Sequence, residues 1–416
     1  MVETGKVLGI VAEYNPFHNG HMYHLQKAKQ RVGAEYTVCI MSGNFVQRGN
    51  TSILNKWKKA EMAILNGVDL VIELPTIYSI ASAESFANGA IQILDNLKII
   101  DSISFGTETE DYGALNNISS ILCDEPKKYK ELLSQELKNG LSFPKARENA
   151  LMLYLNDNQR YNNILNTPNN ILAIEYLKAL KKLKSTIQPV PIKREKVYYN
   201  DNAIIDEFAS ATAIRELIKN NDFSEIRKVV PDETYKVLRA EYDVGNIVFD
   251  LKIFEKQIIY NLRRMSTEQI ANLPDVKEGL EHSIKNAAAL TNNLQDFMNA
   301  VKTKRYTATR IQRILICSLL GITKKDAILS KKNIPYVRVL GFNTKGKELI
   351  SKITKANPKL DIITSVKKFQ NQNNNKAYQR LLNIDIFSTD VYSMACKNDY
   401  IANSDYTKNM IINKWM

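Results

Sequence analysis

Three of the chain's four histidines, His18, His21 and His24, fall inside one short stretch, Glu13-Tyr-Asn-Pro-Phe-His-Asn-Gly-His-Met-Tyr-His24. The stretch follows a strand-like run and opens a helix-like one. It therefore places backbone N–H groups and a helix dipole where phosphate is attracted. Asn15-Pro16 turns the chain, and Gly20 lets the backbone approach a ligand closely. His18 and His21, as imidazolium or as neutral N–H donors, would stabilise charge building on a phosphoryl group. Phosphoryl and nucleotidyl transfer depend mainly on such positioning and electrostatics. The three-residue spacing also fits ligands on one helical face. No acidic or cysteine ligand sits beside them, however, and no metal site is expected. A purely structural role for the histidines is the third reading.

A second constellation is Ala209-Ser210-Ala211-Thr212-Ala213-Ile214-Arg215. Ser210 is placed as an N-cap, Thr212 adds a hydroxyl in the first turn, and Arg215 brings a guanidinium one turn in. Together they suit the β- and γ-phosphates of a nucleotide. A third is Lys302-Thr-Lys-Arg-Tyr-Thr-Ala-Thr-Arg-Ile-Gln-Arg313, five basic residues around Tyr306. There Arg305, Arg310 and Arg313 would track RNA phosphates, with the tyrosine available for stacking; a solvated basic face is the alternative.

Elements that position these groups follow from the apolar periodicity. Strands are expected at Val7–Glu13, Tyr36–Met41, Leu70–Leu74, Asp101–Phe105 and Pro189–Ile192. Helices are expected at His21–Arg31, Trp57–Asn66, Ala83–Leu97 and Ser210–Lys219, with residues 113–185 mostly helical. Strands alternating with such helices imply an α/β, Rossmann-like domain with a parallel sheet, whose ligands sit beyond the strands' carboxyl ends. Residues 1–225 form this expected nucleotide-binding domain. Residues 226–416 form a mainly helical, basic C-terminal portion, with short β runs at Tyr336–Gly341 and Leu360–Thr364.

Charge is divided along the same line. Residues 251–416 carry 28 Lys+Arg against 13 Asp+Glu, a net of +15, whereas residues 1–250 carry 29 against 31, a net of −2. A polyanionic partner for the C-terminal portion is one reading of that asymmetry. Cys39, Cys123, Cys317 and Cys396 are widely spaced, which argues for free thiols rather than a disulfide framework or zinc site. The most apolar stretch, Ala63 to Ala83, is broken by Asp69, Glu73 and Pro75, so no membrane span is expected. No leader pattern precedes the first strand, and the expected location is the cytoplasm.

His18-Asn19-Gly20-His21 resembles the HxGH signature of the HIGH-type nucleotidyltransferases, and the Ser210–Arg215 helix resembles their second signature. The likeness is closest to the tRNA(Met) cytidine acetate ligase family. It runs through Val11–His24, Met41-Ser-Gly-Asn-Phe-Val-Gln-Arg-Gly49, Lys56-Trp57, Asp69–Pro75, Phe105–Glu108, Pro168–Leu172, Ile192–Arg194 and Tyr336–Phe342. The resemblance implies that ATP activates acetate to acetyladenylate, whose acetyl group passes to N4 of the wobble cytidine of elongator tRNA(Met). It assigns catalysis to His18, His21, Ser210, Thr212 and Arg215, with Mg²⁺ expected on the phosphates. It assigns ATP contacts to Val11, Ala12, Glu13, Tyr14, Asn15, Pro16, Phe17, His18, Asn19, Gly20, His21, Met22, Tyr23 and His24, and further to Gly106, Asn169 and Arg194. From the residues alone, Gly106 also reads as a turn glycine, Asn169 or Asn170 as an N-cap, and Arg194 as a surface arginine. Gly43, Arg48 and Gly49 read as a loop able to close over a substrate, or as a plain connection.

Two departures from the family pattern stand out: Asn55 replaces a common aspartate, and Lys193-Arg194 lacks the usual following glycine turn and histidine. Two other functions fit part of the pattern. An adenylyltransferase for a small phosphorylated metabolite would be shorter and lack the basic extension. An RNA-binding protein with a relic pocket would not need the intact His18, His21, Ser210, Thr212 and Arg215.

Overall fold

The fold is a computed structural model that describes residues 5–156, 158–161, 164–194, 207–333, 336–397 and 402–414. The segment after Lys193-Arg194 that departs from the family pattern lies largely outside them.

Strands β1 (Lys6–Ala12), β2 (Ala34–Ser42), β5 (Leu70–Leu74), β6 (Ser102–Thr107) and β7 (Gln188–Lys193) pair in parallel, in the order β5-β2-β1-β6-β7. A short antiparallel hairpin, β3 (Phe45–Val46) and β4 (Asn50–Thr51), follows β2. The last seven residues of β2 and all of β5 are buried, as expected where helices cover both faces of a parallel sheet. Helix α1 (Asn19–Val32) joins β1 to β2. Helix α2 (Lys56–Leu65) and the helix Ala83–Leu97 make the next crossovers. The chain builds outward from β1 through β2 to β5, then returns to place β6 on the other side of β1. That reversal at β1/β6 makes the crevice in which doubly wound sheets bind ligands. The loop after β1 carries His18, and Gly106 is the next-to-last residue of β6.

The C-terminal portion does not stand apart from this sheet. Strand β8 (Val337–Asn343) pairs antiparallel with β5, and β9 (Ile362–Ile363) and β10 (Ile411–Asn413) pair parallel with β8. Residues 226–416 are thus two things. A helical body running from Phe223 to Lys332 is followed by a return to the catalytic sheet, and one hydrophobic cluster runs from Val7 to Tyr392.

A buried ionic cluster fastens that return. Lys56 Nζ lies 3.1 Å from Glu73 Oε1 and 2.8 Å from Asp405 Oδ1, and Arg338 reaches Glu73 at 3.2 Å and also bonds Asp405. Tyr336 donates to Asp385, whose other oxygen accepts from Thr76 N–H at 2.7 Å. Burial, with Glu73 nearby, pushes the Asp385 carboxyl up to about 7. Asn55 is the N-cap of α2, accepting from Trp57 and Lys58 N–H at 3.1 and 3.0 Å. Trp57 is buried.

All four cysteines are free thiols, Cys39 and Cys317 buried and the other two partly so. Among the described residues no helix is long and apolar enough to cross a membrane.

Candidate active site

His18 is the N-cap of α1. Its Nδ1 accepts from Gly20 N–H at 3.1 Å, and its own backbone N–H reaches His21 Nδ1 at 3.3 Å. The pair therefore forms a capping box in which both residues are histidine. An Nδ1 that accepts a hydrogen bond carries no proton, so both neutral rings hold theirs on Nε2. The rings stack with centroids 3.8 Å apart, and two imidazolium charges at that distance would repel. Burial holds His18 down to about 3, with the Arg194 and Arg215 charges adding to the effect. Burial, then His18 and Arg194, hold His21 well below its usual value. Of the two protonation states open to the sequence, the structure selects two neutral Nε2–H donors side by side.

His24 does something else. Its Nε2 lies 2.9 Å from the Ser104 hydroxyl, which donates its own proton to Val190 O at 2.9 Å. His24 must therefore be the donor, and it ties α1 to β6 and β7. Burial lowers it to about 4. Among the described residues no group of three or more histidine, cysteine or acidic side chains is arranged to hold a metal.

The remaining residues of the first motif divide between backing and surface. Tyr14 and Phe17 are buried in the core, their rings 5.0 and 5.6 Å from that of His21. Tyr14 adopts φ 45°, and the Asn15-Pro16 peptide is cis. Asn15 is buried and its Oδ1 accepts from Ile53 N–H at 2.7 Å. Val11 and Ala12 pack against the two cores, and Tyr23 sets its ring edge-on to Phe208. Glu13 accepts from Gln47 N–H at 2.8 Å, which binds the β3–β4 hairpin to the start of the histidine loop.

Tertiary packing brings the second motif to the first. Arg215 donates to Asn15 O at 2.9 Å and to Thr212 Oγ1 at 3.0 Å, and Asn19 donates to Glu207 O and Lys228 O at 2.9 and 3.1 Å. Ser210 caps its helix by accepting from Ala213 N–H at 3.1 Å. At the other wall, Arg194 N–H donates to Thr107 O at 2.9 Å, and the arginine stem lies against Gly106. A Cβ on Gly106 would stand 3.3 Å from Arg194 Cγ. Asn169 and Asn170 are inside the helix Pro168–Leu183 rather than at its cap, a position held by Thr167. Glu108 serves these first N–H groups instead, accepting from Asn169 and Asn170 N–H at 3.2 and 2.8 Å.

One residue of this region escaped the sequence reading. Lys59 is fully buried, and its Nζ donates to Glu13 O at 2.9 Å and Ser42 O at 2.7 Å, joining the carboxyl ends of β1 and β2. Burial lowers it to about 7. Its only sequence signal was its place one helical turn after Lys56 on an otherwise apolar face.

The third group lies apart from the histidines. Arg310 donates to Asp275 O at 2.9 and 2.7 Å, Arg313 pairs with the Asp275 carboxylate at 2.8 Å, and Arg305 pairs with Glu278 at 2.8 Å in solvent. The Gly49 loop packs on the helix Ala308–Leu320 that carries Arg310 and Arg313, because a Cβ there would fall 2.6 Å from Arg313 N. At φ +77° that position also favours glycine. Of the two readings of Gly43, Arg48 and Gly49, the structure thus gives Gly49 a fixed packing contact.

The histidine pKa values have a consequence for stability. In the unfolded chain His18 titrates near its usual value; in the folded chain it stays neutral to about 3. Between those values the unfolded chain binds the extra proton, so stability is complete above about pH 6.5 and falls as the pH is lowered. His18 alone is expected to remove about 2 kcal/mol between pH 6.5 and 5. Urea midpoints at the two pH values measure this, and a His18→Asn variant is expected to show a shallower loss.

Comparison with known proteins gives a consistent result. Residues 5–407 match the family described as HIGH Nucleotidyl Transferase. The chain is 46% identical over 407 residues to the tRNA(Met) cytidine acetate ligase of Thermoanaerobacter sp. strain X514, covering 97% of this chain and 99% of that one. It is 42% identical to the enzyme of that name from Acetivibrio thermocellus, covering 98% and 100%. Among solved structures, it is similar to Thermotoga maritima TmcAL in its apo form, with a TM-score of 0.94, 33% identity and coverage of 98% and 100%. Against the same protein bound with alpha-thio ATP the TM-score is 0.92.

Proposed function

This chain belongs to the HIGH nucleotidyl transferase family and, within it, to the tRNA(Met) cytidine acetate ligases, and from that membership we propose how its own residues carry the reaction. It is an ATP-dependent ligase that modifies tRNA(Met). In the first step an acetate oxygen attacks the α-phosphorus of ATP, the bond to the β-phosphate oxygen breaks, and pyrophosphate leaves. In the second, N4 of the wobble cytidine of elongator tRNA(Met) attacks the acetyl carbonyl, loses a proton to solvent, and AMP leaves with the bonding pair. No protein nucleophile is required, because acetate and then the cytidine amine serve as nucleophiles.

The observation that carries this reading is the stacked pair of neutral histidines with fixed tautomers. Their Nε2–H groups stabilise the negative charge that grows on the α-phosphate oxygens, and they are already oriented before ATP arrives. Ser210, Thr212 and Arg215 receive the leaving pyrophosphate. Gly106, Asn169 and Arg194 hold the nucleotide on the β6 side. The Val11–His24 segment lines the ATP site, with Tyr14 and Phe17 acting from behind. Mg²⁺ bound to the triphosphate would neutralise the charge of the leaving pyrophosphate beside Ser210, Thr212 and Arg215. Arg305, Arg310 and Arg313 contribute to the basic face for tRNA, with Arg305 nearest to solvent. The cytoplasm, where tRNA is modified, is the place of action.

The test is ATP–pyrophosphate exchange. Exchange is expected to require acetate and to proceed without tRNA; exchange with no carboxylate of any size would sink the ligase mechanism. tRNA affinity is expected to fall steeply with salt, and Arg305→Ala is expected to reduce the slope of log affinity against log salt by about one. A slope left intact would remove Arg305 from the phosphate contacts.

A further inference from the structure

Outside the nucleotide site the helical portion carries an exposed groove of about 470 Å³. Its floor is buried Phe254, Leu319 and Val391. Its walls are Tyr260, Phe387 and Met394, respectively 65%, 48% and 63% exposed. Lys256, Gln257 and Asn261 stand at the rim. Tyr260 and the rim residues share one face of the helix Glu255–Arg264. Phe387, Val391 and Met394 recur on one face of the helix Lys376–Ser393 and its cap. Large apolar side chains grouped in the open in this way mark a surface that is covered in use.

We propose that this groove holds an unpaired base of the tRNA substrate, stacked on Tyr260 and Phe387; the proposal rests on the tRNA-modifying reading above. Four observations favour a base over a second copy of the chain. First, the walls present flat aromatic faces, on which any base stacks. Second, the rim supplies two carboxamides and an ammonium, donors and acceptors that suit a base edge. Third, the one charged residue lining the groove is Lys256 and the whole chain carries a net charge of +13, so a second copy would bring the same sign whereas RNA brings the opposite. Two acids on the same helices are turned to backbone donors, Glu255 to Leu294 N–H at 2.8 Å and Asp390 to Asn403 N–H at 2.7 Å, and neither lines the groove. Fourth, the floor of the groove packs on the hairpin that the catalytic loop holds. Phe254 packs on Phe45 of the β3–β4 hairpin at 6.4 Å between centroids, and Phe45 also packs on Tyr392 at 6.3 Å. The same hairpin is held by Glu13 at the histidine loop and rests on Arg313 through Gly49. The groove's floor and the loop that begins the ATP site thus share the β3–β4 hairpin as a common neighbour.

The experiment measures binding of an elongator tRNA(Met) transcript to the full chain, alongside acetate-dependent ATP–pyrophosphate exchange without tRNA. The Tyr260→Ala, Phe387→Ala double variant is expected to raise Kd about ten-fold or more and to leave exchange unchanged. Tyr260→Phe, which keeps the ring, is expected to bind as the parent does. Parent-like tRNA binding by the double variant would overturn the proposal. So would a change in sedimentation from a dimer to a monomer, which would show a second copy in the groove. A parent that exchanges but has no tRNA affinity would overturn the groove's occupant. A parent without acetate-dependent exchange would instead overturn the functional reading itself, whatever the tRNA result.

Discussion

His21→Ala is expected to slow acetate-dependent ATP–pyrophosphate exchange about a hundred- to a thousand-fold, the usual cost of removing one preorganised donor from a developing oxyanion. The effect should fall on kcat rather than on the KM for ATP, because in the proposed mechanism the Nε2–H of His21 meets charge that grows only in the transition state. Stability should change by about 1 kcal/mol or less, since His21 contributes one arm of the capping box. His18 needs a more careful substitution, because its Nδ1 caps α1 by accepting from Gly20 N–H. In His18→Asn the side-chain oxygen stands where Nδ1 stood and remains a good N-cap. Nothing then replaces the outward Nε2–H. This variant is expected to fold like the parent and to lose exchange as severely as His21→Ala. A His18→Asn enzyme with parental kcat would show that the cap is the residue's whole task.

The second large effect is on stability. Glu73→Ala is expected to cost about 3–5 kcal/mol in urea unfolding, because it leaves Lys56 and Arg338 buried with Asp405 as their shared counter-charge. The same substitution relieves Asp385 of a neighbouring negative charge, so the Asp385 carboxyl is expected to move down from about 7. Replacing partners together should cost far less than the sum of single losses, since removing both members of a buried pair leaves no stranded charge. The Lys56→Met, Glu73→Leu pair tests this. A Glu73→Ala midpoint close to the parent's would mean that water reaches the cluster and screens it. The cluster also explains why the C-terminal strands are held to the catalytic sheet. Arg338 lies on β8 directly opposite Glu73 on β5, and Asp405 comes from the last short helix.

Much of the geometry of the candidate site was legible in the sequence, because its parts are local. A histidine at an N-cap, a glycine two residues on and a second histidine closing the box lie within four positions. Their geometry follows from helix capping alone. The Ser210–Arg215 helix start is local in the same way. The alternation of buried runs with helical ones likewise gave the parallel strands and placed the loop at their carboxyl ends. Some side-chain roles were hidden in equally short stretches. The partner of His24 is Ser104, and Asn169 is served by Glu108, so neither role depends on its neighbours in the chain.

The sequence by itself determined that a histidine-bearing loop and a helix start follow the first strand and that the positive charge lies in the last two-fifths of the chain. Only the tertiary structure decided what those features meet. It chose neutral over charged histidines, because burial and the Arg194 and Arg215 fields act across the fold. It buried Lys59 against the ends of two strands, and it committed Arg310 and Arg313 to Asp275. It also returned β8 antiparallel to β5, which made one sheet of what composition had divided in two. Caps and periodicities act over a turn or two of chain and can be read from it. Strand order, burial and long-range ion pairs are set by which distant surfaces pack together, and no short stretch of sequence encodes that choice.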